Sequence, residues 1–138
     1  MSNKPTRRLV IADDSPEMRW LVRGAVGHRF DEIIDVSDGR ALLGALLRSA
    51  DSTGSTGSED APTDVLVSDA TMPGYDSLEV IDAWRERHPA GRAVVLTASP
   101  DDEIRRRAAE LGATVLEKPF SVSALRRSVD ALIRERRT

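Results

Sequence analysis

Short apolar runs that stop at an acid, a hydroxyl or an amine recur along this chain, and they limit its fold more than any other feature. Leu9-Val10-Ile11-Ala12 halts at Asp13-Asp14, Val65-Leu66-Val67 ends at Asp69, Ala93-Val94-Val95-Leu96 ends at Thr97, and Ala113-Thr114-Val115-Leu116 comes just before Lys118. A run of three or four mostly apolar residues with a polar stop reads as a strand buried on both faces. Ile33, Ile34 and Val36 supply one more short strand.

Between these runs the apolar period lengthens to that of a helix. Ser15-Pro16 is an N-cap followed by proline at the first helical position, and Met18, Leu21, Val22, Ala25 and Val26 then form one stripe. Ser37-Asp38-Gly39 opens a helix carrying Ala41, Leu42, Ala45 and Leu46, and a third runs from about Leu78 to Arg87 with Leu78, Ile81 and Trp84 inward. Pro100-Asp101-Asp102-Glu103 is an acidic start for a helix that Gly112 closes. Ser121 caps a last helix bearing Val122, Leu125, Val129, Leu132 and Ile133. Five strands alternating with five helices predict an α/β domain built on a parallel sheet. The 138 residues suffice for one such core. Residues 1–7 read as a tail, 8–137 as the domain, and the glycine- and serine-rich stretch at about 51–63 as a flexible loop.

Composition then removes whole classes of function. There is no cysteine, so chemistry has to come from oxygen and nitrogen groups. The net charge of -3 argues against direct nucleic-acid binding. No apolar run approaches the ~20 residues of a membrane span, and the few apolar residues before Asp13 are too short for a signal peptide, so the expected location is the cytoplasm. Every basic residue except Lys4 and Lys118 is an arginine, which singles out the internal lysine.

In open parallel sheets, ligands bind beyond the carboxyl ends of the strands. Asp13, Asp14, Asp69, Thr97 and Lys118 should therefore converge there. Grouped carboxylates repel one another, and a divalent cation with a preference for oxygen, Mg²⁺ or Mn²⁺, keeps them ionised. Lys118 and the Thr97 hydroxyl suit the oxygens of a phosphoryl group, and Asp69, alone at its strand end, is the candidate nucleophile. The arginines at 105–107 and 134–137 read as solvated helix faces, His28 and His88 as helix-end residues, Trp84 as core and Trp20 as half-exposed.

In this order the motifs resemble the receiver domain of two-component response regulators: Asp13-Asp14-Ser15, Asp69-Ala-Thr-Met72-Pro73-Gly-Tyr-Asp76-Ser-Leu78, Thr97-Ala98 and Lys118-Pro119-Phe120. The resemblance covers about Arg8 to Arg134 and implies the doubly wound, flavodoxin-like receiver topology. It implies that Asp69 accepts a phosphoryl group from a phosphohistidine on a sensor histidine kinase or phosphotransfer protein, and that the domain promotes its own phosphorylation and dephosphorylation rather than acting as an enzyme. It further implies Mg²⁺ held by Asp14, Asp69 and the main-chain carbonyl of Thr71 with Asp13 assisting, Thr97 and Lys118 on the phosphoryl oxygens, and a cis Lys118-Pro119 bond.

Three departures accompany the resemblance. Val115 stands where an aromatic usually swings inward, Ser77 replaces a usual glycine, and the 51–63 loop is long. Thr71 and Ser99 offer no carboxylate or carboxamide to orient a water, which predicts slow self-dephosphorylation. Few residues follow the last helix, so the chain reads as a stand-alone receiver or a fragment of a larger regulator, and a stand-alone receiver is expected to act by binding a downstream protein. Two rivals carry less weight. A phosphohydrolase of the haloacid-dehalogenase type would place its nucleophile after the first strand, and a receiver-like interaction domain not regulated by phosphorylation would not need the full acceptor set.

Overall fold

The computed structural model describes residues 7–50, 63–72 and 75–136, without the side chains of 48–50 and 135–136. The expected tail at 1–7 therefore lies almost wholly, and the expected loop at 51–63 wholly but for Thr63, outside the described residues. The strands are β1 (Arg8–Ala12), β2 (Glu32–Val36), β3 (Val65–Asp69), β4 (Thr71–Met72), β5 (Tyr75–Asp76), β6 (Arg92–Thr97) and β7 (Thr114–Glu117). The helices are α1 (Pro16–Val26), α2 (Gly39–Ala50), α3 (Ser77–Arg87), α4 (Asp102–Glu110) and α5 (Val122–Arg136), with a 3-10 turn at Gly27–Arg29.

Five strands form one parallel sheet in the order β2-β1-β3-β6-β7. Side chains alternate across it with the period of two that a strand dictates. Leu9, Ile11, Val65, Val67, Val94 and Leu96 face one side, where Val22, Ala25 and Val26 of α1 and Leu125, Val129 and Leu132 of α5 cover them. Val10, Ala12, Leu66, Ala93 and Val95 face the other, under Leu42 and Leu46 of α2, Leu78, Ile81 and Trp84 of α3, and Ala108 of α4. Both faces are thus dry, as the unbroken apolar runs predict. β2 is an edge strand, and Ile33 and Ile34 are accordingly only half-buried.

The helix starts follow the capping chemistry of their sequences. Ser15 Oγ accepts from the Met18 N–H at 3.2 Å, with Pro16 next in line. Asp76 caps α3 and Asp101 caps α4, so α4 begins one residue after its cap rather than at Pro100. Gly112 follows α4 at φ 68°, the left-handed conformation that a helix-ending glycine adopts without strain. Two elements were not legible: the two-residue antiparallel pair β4–β5 and the 3-10 turn. Trp20 is 77% exposed, further out than the half-exposure read from its helix.

Candidate functional site

Parallel strands deliver their ends to one edge, and the register fixes how closely. Asp69 of β3 pairs with Leu96, which puts Thr97 one residue beyond it, and Thr97 pairs with Glu117, which puts Lys118 one residue beyond that. The Lys118 N–H donates to the Thr97 carbonyl at 2.8 Å, and the Asp13 N–H donates to the Val36 carbonyl at 3.2 Å. The Lys118-Pro119 bond is cis.

The side chains then meet. One carboxylate oxygen each from Asp13, Asp14 and Asp69 lies within 4.8 Å of the others. Lys118 Nζ stands 3.2 Å from Asp13 Oδ2 and 3.5 Å from Asp69 Oδ2. Asp13 is buried, and its Oδ1 accepts from the Ser15 N–H at 2.9 Å. Asp14 is exposed and Asp69 intermediate, so the cluster opens to solvent on one side. Thr97 is buried, and its Oγ1 accepts from the Ser99 N–H at 3.1 Å. The Thr71 N–H donates to Asp69 Oδ1 at 3.3 Å, which brings the Thr71 main chain to the acceptor candidate.

Burial raises the Asp69 carboxyl above its ordinary pKa of 3.8, and the Asp13 charge pushes the same way. The Thr71 N–H and the Lys118 ammonium pull it back down. Ionised Asp69 is therefore held at some cost to the fold, a cost relieved as pH falls through its raised pKa. A bound cation would relieve it without protonation. The donor set, oxygen throughout with an open side for water and a further anionic oxygen, fits a hard divalent ion of the Mg²⁺ type.

Two contacts at this edge were not anticipated. Arg19 Nη1 donates to the Asp13 carbonyl at 2.7 Å, tying α1 back onto the turn that carries the acids. Arg107, read as part of a solvated face, forms an ion pair with Asp76 at 2.9 Å. Val115 is half-buried against the α2–α3–α4 side of the core.

Comparison with known proteins shows the family and the fold. Residues 9–130 match the family model described as the response regulator receiver domain. The chain is 33% identical over 124 residues to the DNA-binding transcriptional regulator NtrC of Klebsiella pneumoniae, covering 89% of this chain and 24% of that one. It is 28% identical to the probable chemotaxis protein CheY of Rhizobium etli, covering 91% of each. It spans 38% of the transcriptional regulatory protein QseB of Haemophilus influenzae, so it matches well under half the length of the QseB and NtrC relatives. In fold it is similar to the chemotaxis response regulator CheY4 of Vibrio cholerae, with a TM-score of 0.73 at 23% identity over 93% of this chain and 99% of that one. The signal receiver domain of a LuxO repressor protein from Vibrio parahaemolyticus superposes with a TM-score of 0.79 at 19% identity, over 96% and 94% of the two chains. With the acidic cluster, the lysine and the threonine at the expected strand ends, and a family match across nearly the whole sheet, this chain belongs to the response regulator receiver domain family.

Proposed function

We propose that Asp69 accepts a phosphoryl group from a phosphohistidine on a sensor histidine kinase or histidine phosphotransfer protein, and that the chain signals through a phosphorylation-dependent change of its binding surface. The observation that carries this reading is Lys118 Nζ, poised 3.2 and 3.5 Å from Asp13 and Asp69 beside a cluster of three carboxylates. An Asp69 oxygen forms the new bond to phosphorus as the bond to the histidine nitrogen breaks. Lys118 and the Thr97 hydroxyl take the phosphoryl oxygens, so positioning and charge neutralisation supply the catalysis. Asp14, Asp69 and the Thr71 main-chain carbonyl would hold Mg²⁺, or Mn²⁺ in its place, with Asp13 assisting. The ion, when bound, offsets the negative charge that carboxylates and phosphoryl oxygens bring together.

On this reading the domain spans 8–137 and is a signalling module rather than an enzyme with a turned-over substrate. Its output is a downstream protein partner in the cytoplasm, without direct contact to nucleic acid or membrane. Support for the last point is that no helix among the described residues is long and apolar enough to cross a membrane, and that Arg106 and Arg107 are paired with Glu110 and Asp76. The direct check is beryllofluoride, a phosphoryl mimic, added with Mg²⁺: fluorine NMR should show a stoichiometrically bound species that disappears with EDTA. No bound signal at millimolar Mg²⁺ contradicts the reading.

The phosphoryl group should also be long-lived. Ser99 and Thr71 are both exposed at the mouth of the site, and neither side chain can orient an attacking water through a carboxylate or carboxamide. Ser99→Glu is expected to speed phosphate loss at least severalfold, followed as the decay of the phosphorylated mass. An unchanged decay rate counts against the assigned geometry.

A further inference from the structure

Val115, half-buried on the side of the sheet that α4 covers, is not an aromatic, and the contacts that join Asp69 to α4 run elsewhere. One route is already joined by contacts. The Thr71 N–H donates to Asp69 Oδ1, and Thr71 pairs with Asp76 in the β4–β5 ladder. Asp76 divides its carboxylate between two elements: Oδ1 accepts from the Leu78 N–H at 2.9 Å to cap α3, and Oδ2 meets Arg107 Nη2 of α4 at 2.9 Å. Arg107 also lines a groove between α3 and α4 shared with Glu79, Asp82 and Glu110. Carboxylates other than Asp76 therefore line the same groove as Arg107, one of them, Glu110, already paired with Arg106.

We infer that Arg107 is a positioning residue for the acceptor turn, and that its ion pair with Asp76 couples the state of Asp69 to α4. This rests on the phosphoacceptor reading above. Drawing the Thr71 main chain toward the occupied site moves its ladder partner Asp76, and α4 responds because Arg107 either follows Asp76 or changes to a carboxylate of the groove. Coupling of this kind is reciprocal, so α4 in turn biases the acceptor turn. Both side chains are about one-third exposed, at 29% and 36%, which keeps the coupling modest.

The test uses the full chain with Mg²⁺ and beryllofluoride, followed by amide NMR. In the parent, the amides of Asp69 and Thr71 and those of α4 should both shift. In Arg107→Gln the acceptor-turn amides should still shift to completion, with beryllofluoride affinity weakened about two- to fivefold, while the α4 response falls by at least half. Arg107→Lys should restore most of it. An undiminished α4 response in Arg107→Gln overturns the inference, and so does a parent whose α4 stays unchanged while its acceptor turn responds. Failure of Arg107→Lys to restore the response overturns it too, because the loss then belongs to damage in α4. A parent with no shift at Asp69 and Thr71 refutes the phosphoacceptor reading itself, and the inference falls with it.

Discussion

Lys118→Ala is expected to slow phosphorylation of Asp69 by about 100-fold or more and to lower the stability of the metal-free protein by about 2 kcal/mol. The first effect follows from geometry. The ammonium lies 3.5 Å from the Asp69 carboxylate and, if Asp69 is the acceptor as proposed, can meet a phosphoryl oxygen as negative charge gathers there, where a missing donor typically costs ~10²–10³ in rate. The second follows from burial. Asp13 is 1% exposed with Lys118 as its ion-pair partner at 3.2 Å, and removing the lysine leaves a buried carboxylate facing two others. The cost falls below the ~3–5 kcal/mol of a fully buried pair because the Lys118 side chain is 21% exposed. Lys118 is also one of the groups that hold the Asp69 pKa down. Without it that pKa rises further, and the variant's phosphorylation should fail first at the acidic end of the pH range. Thermal unfolding with and without Mg²⁺ and phosphorylation rates at saturating Mg²⁺ separate the effects: the cation should recover part of the variant's lost stability, while the rate stays low with the cation bound. A variant that is phosphorylated as fast as the parent removes Lys118 from the mechanism.

Trp84→Ala should destabilise the domain by about 3–5 kcal/mol, a large share of the ~5–15 kcal/mol available to a domain. Trp84 is fully buried on α3, among Leu78, Ile81 and Ala108. Its ring also lies so close to Gly91 that a Cβ added there would clash with the indole. The pocket has shaped itself around the indole and cannot collapse cheaply when it is removed. Trp84→Phe should cost much less than the alanine, because it keeps most of the apolar volume and deletes an indole N–H that is buried with no partner among the described residues. Urea unfolding measures both, and a loss under ~1.5 kcal/mol in Trp84→Ala contradicts this account of the core. The consequence reaches the site, since α3 starts at Asp76 on the acceptor turn.

The sheet was legible because both of its faces are buried. Strands such as β1, β3 and β6 have no solvent side, so each prints a short apolar run, with polar residues gathering at its carboxyl end. Those strand ends, with the rule that parallel strands deliver their carboxyl ends to one edge, are what brought Asp13, Asp14, Asp69, Thr97 and Lys118 together. Trp84 was legible for the same reason, as the inward member of its helical stripe. Where the sequence pattern misled or fell silent, the deciding interaction was either very short or very long in range. β4 and β5 hold two residues each, too few for a period to show. Arg107 sits in a run of three arginines, and nothing local distinguishes the one that reaches Asp76 across the α3–α4 groove. Arg19 likewise turns back to a main-chain carbonyl, a contact that no side-chain pattern encodes. Trp20 shows the limit of helical phase as a guide: it sets which way a residue points, and the neighbours decide how much of it stays exposed.

The central claim is that Asp69 is the phosphoacceptor. Incubation with Mg²⁺ and acetyl phosphate, followed by intact-mass measurement of the parent and Asp69→Asn, tests it directly. The account predicts a single phosphoryl increment in the parent, absent without Mg²⁺ and absent in Asp69→Asn. An equal increment in both proteins would contradict it.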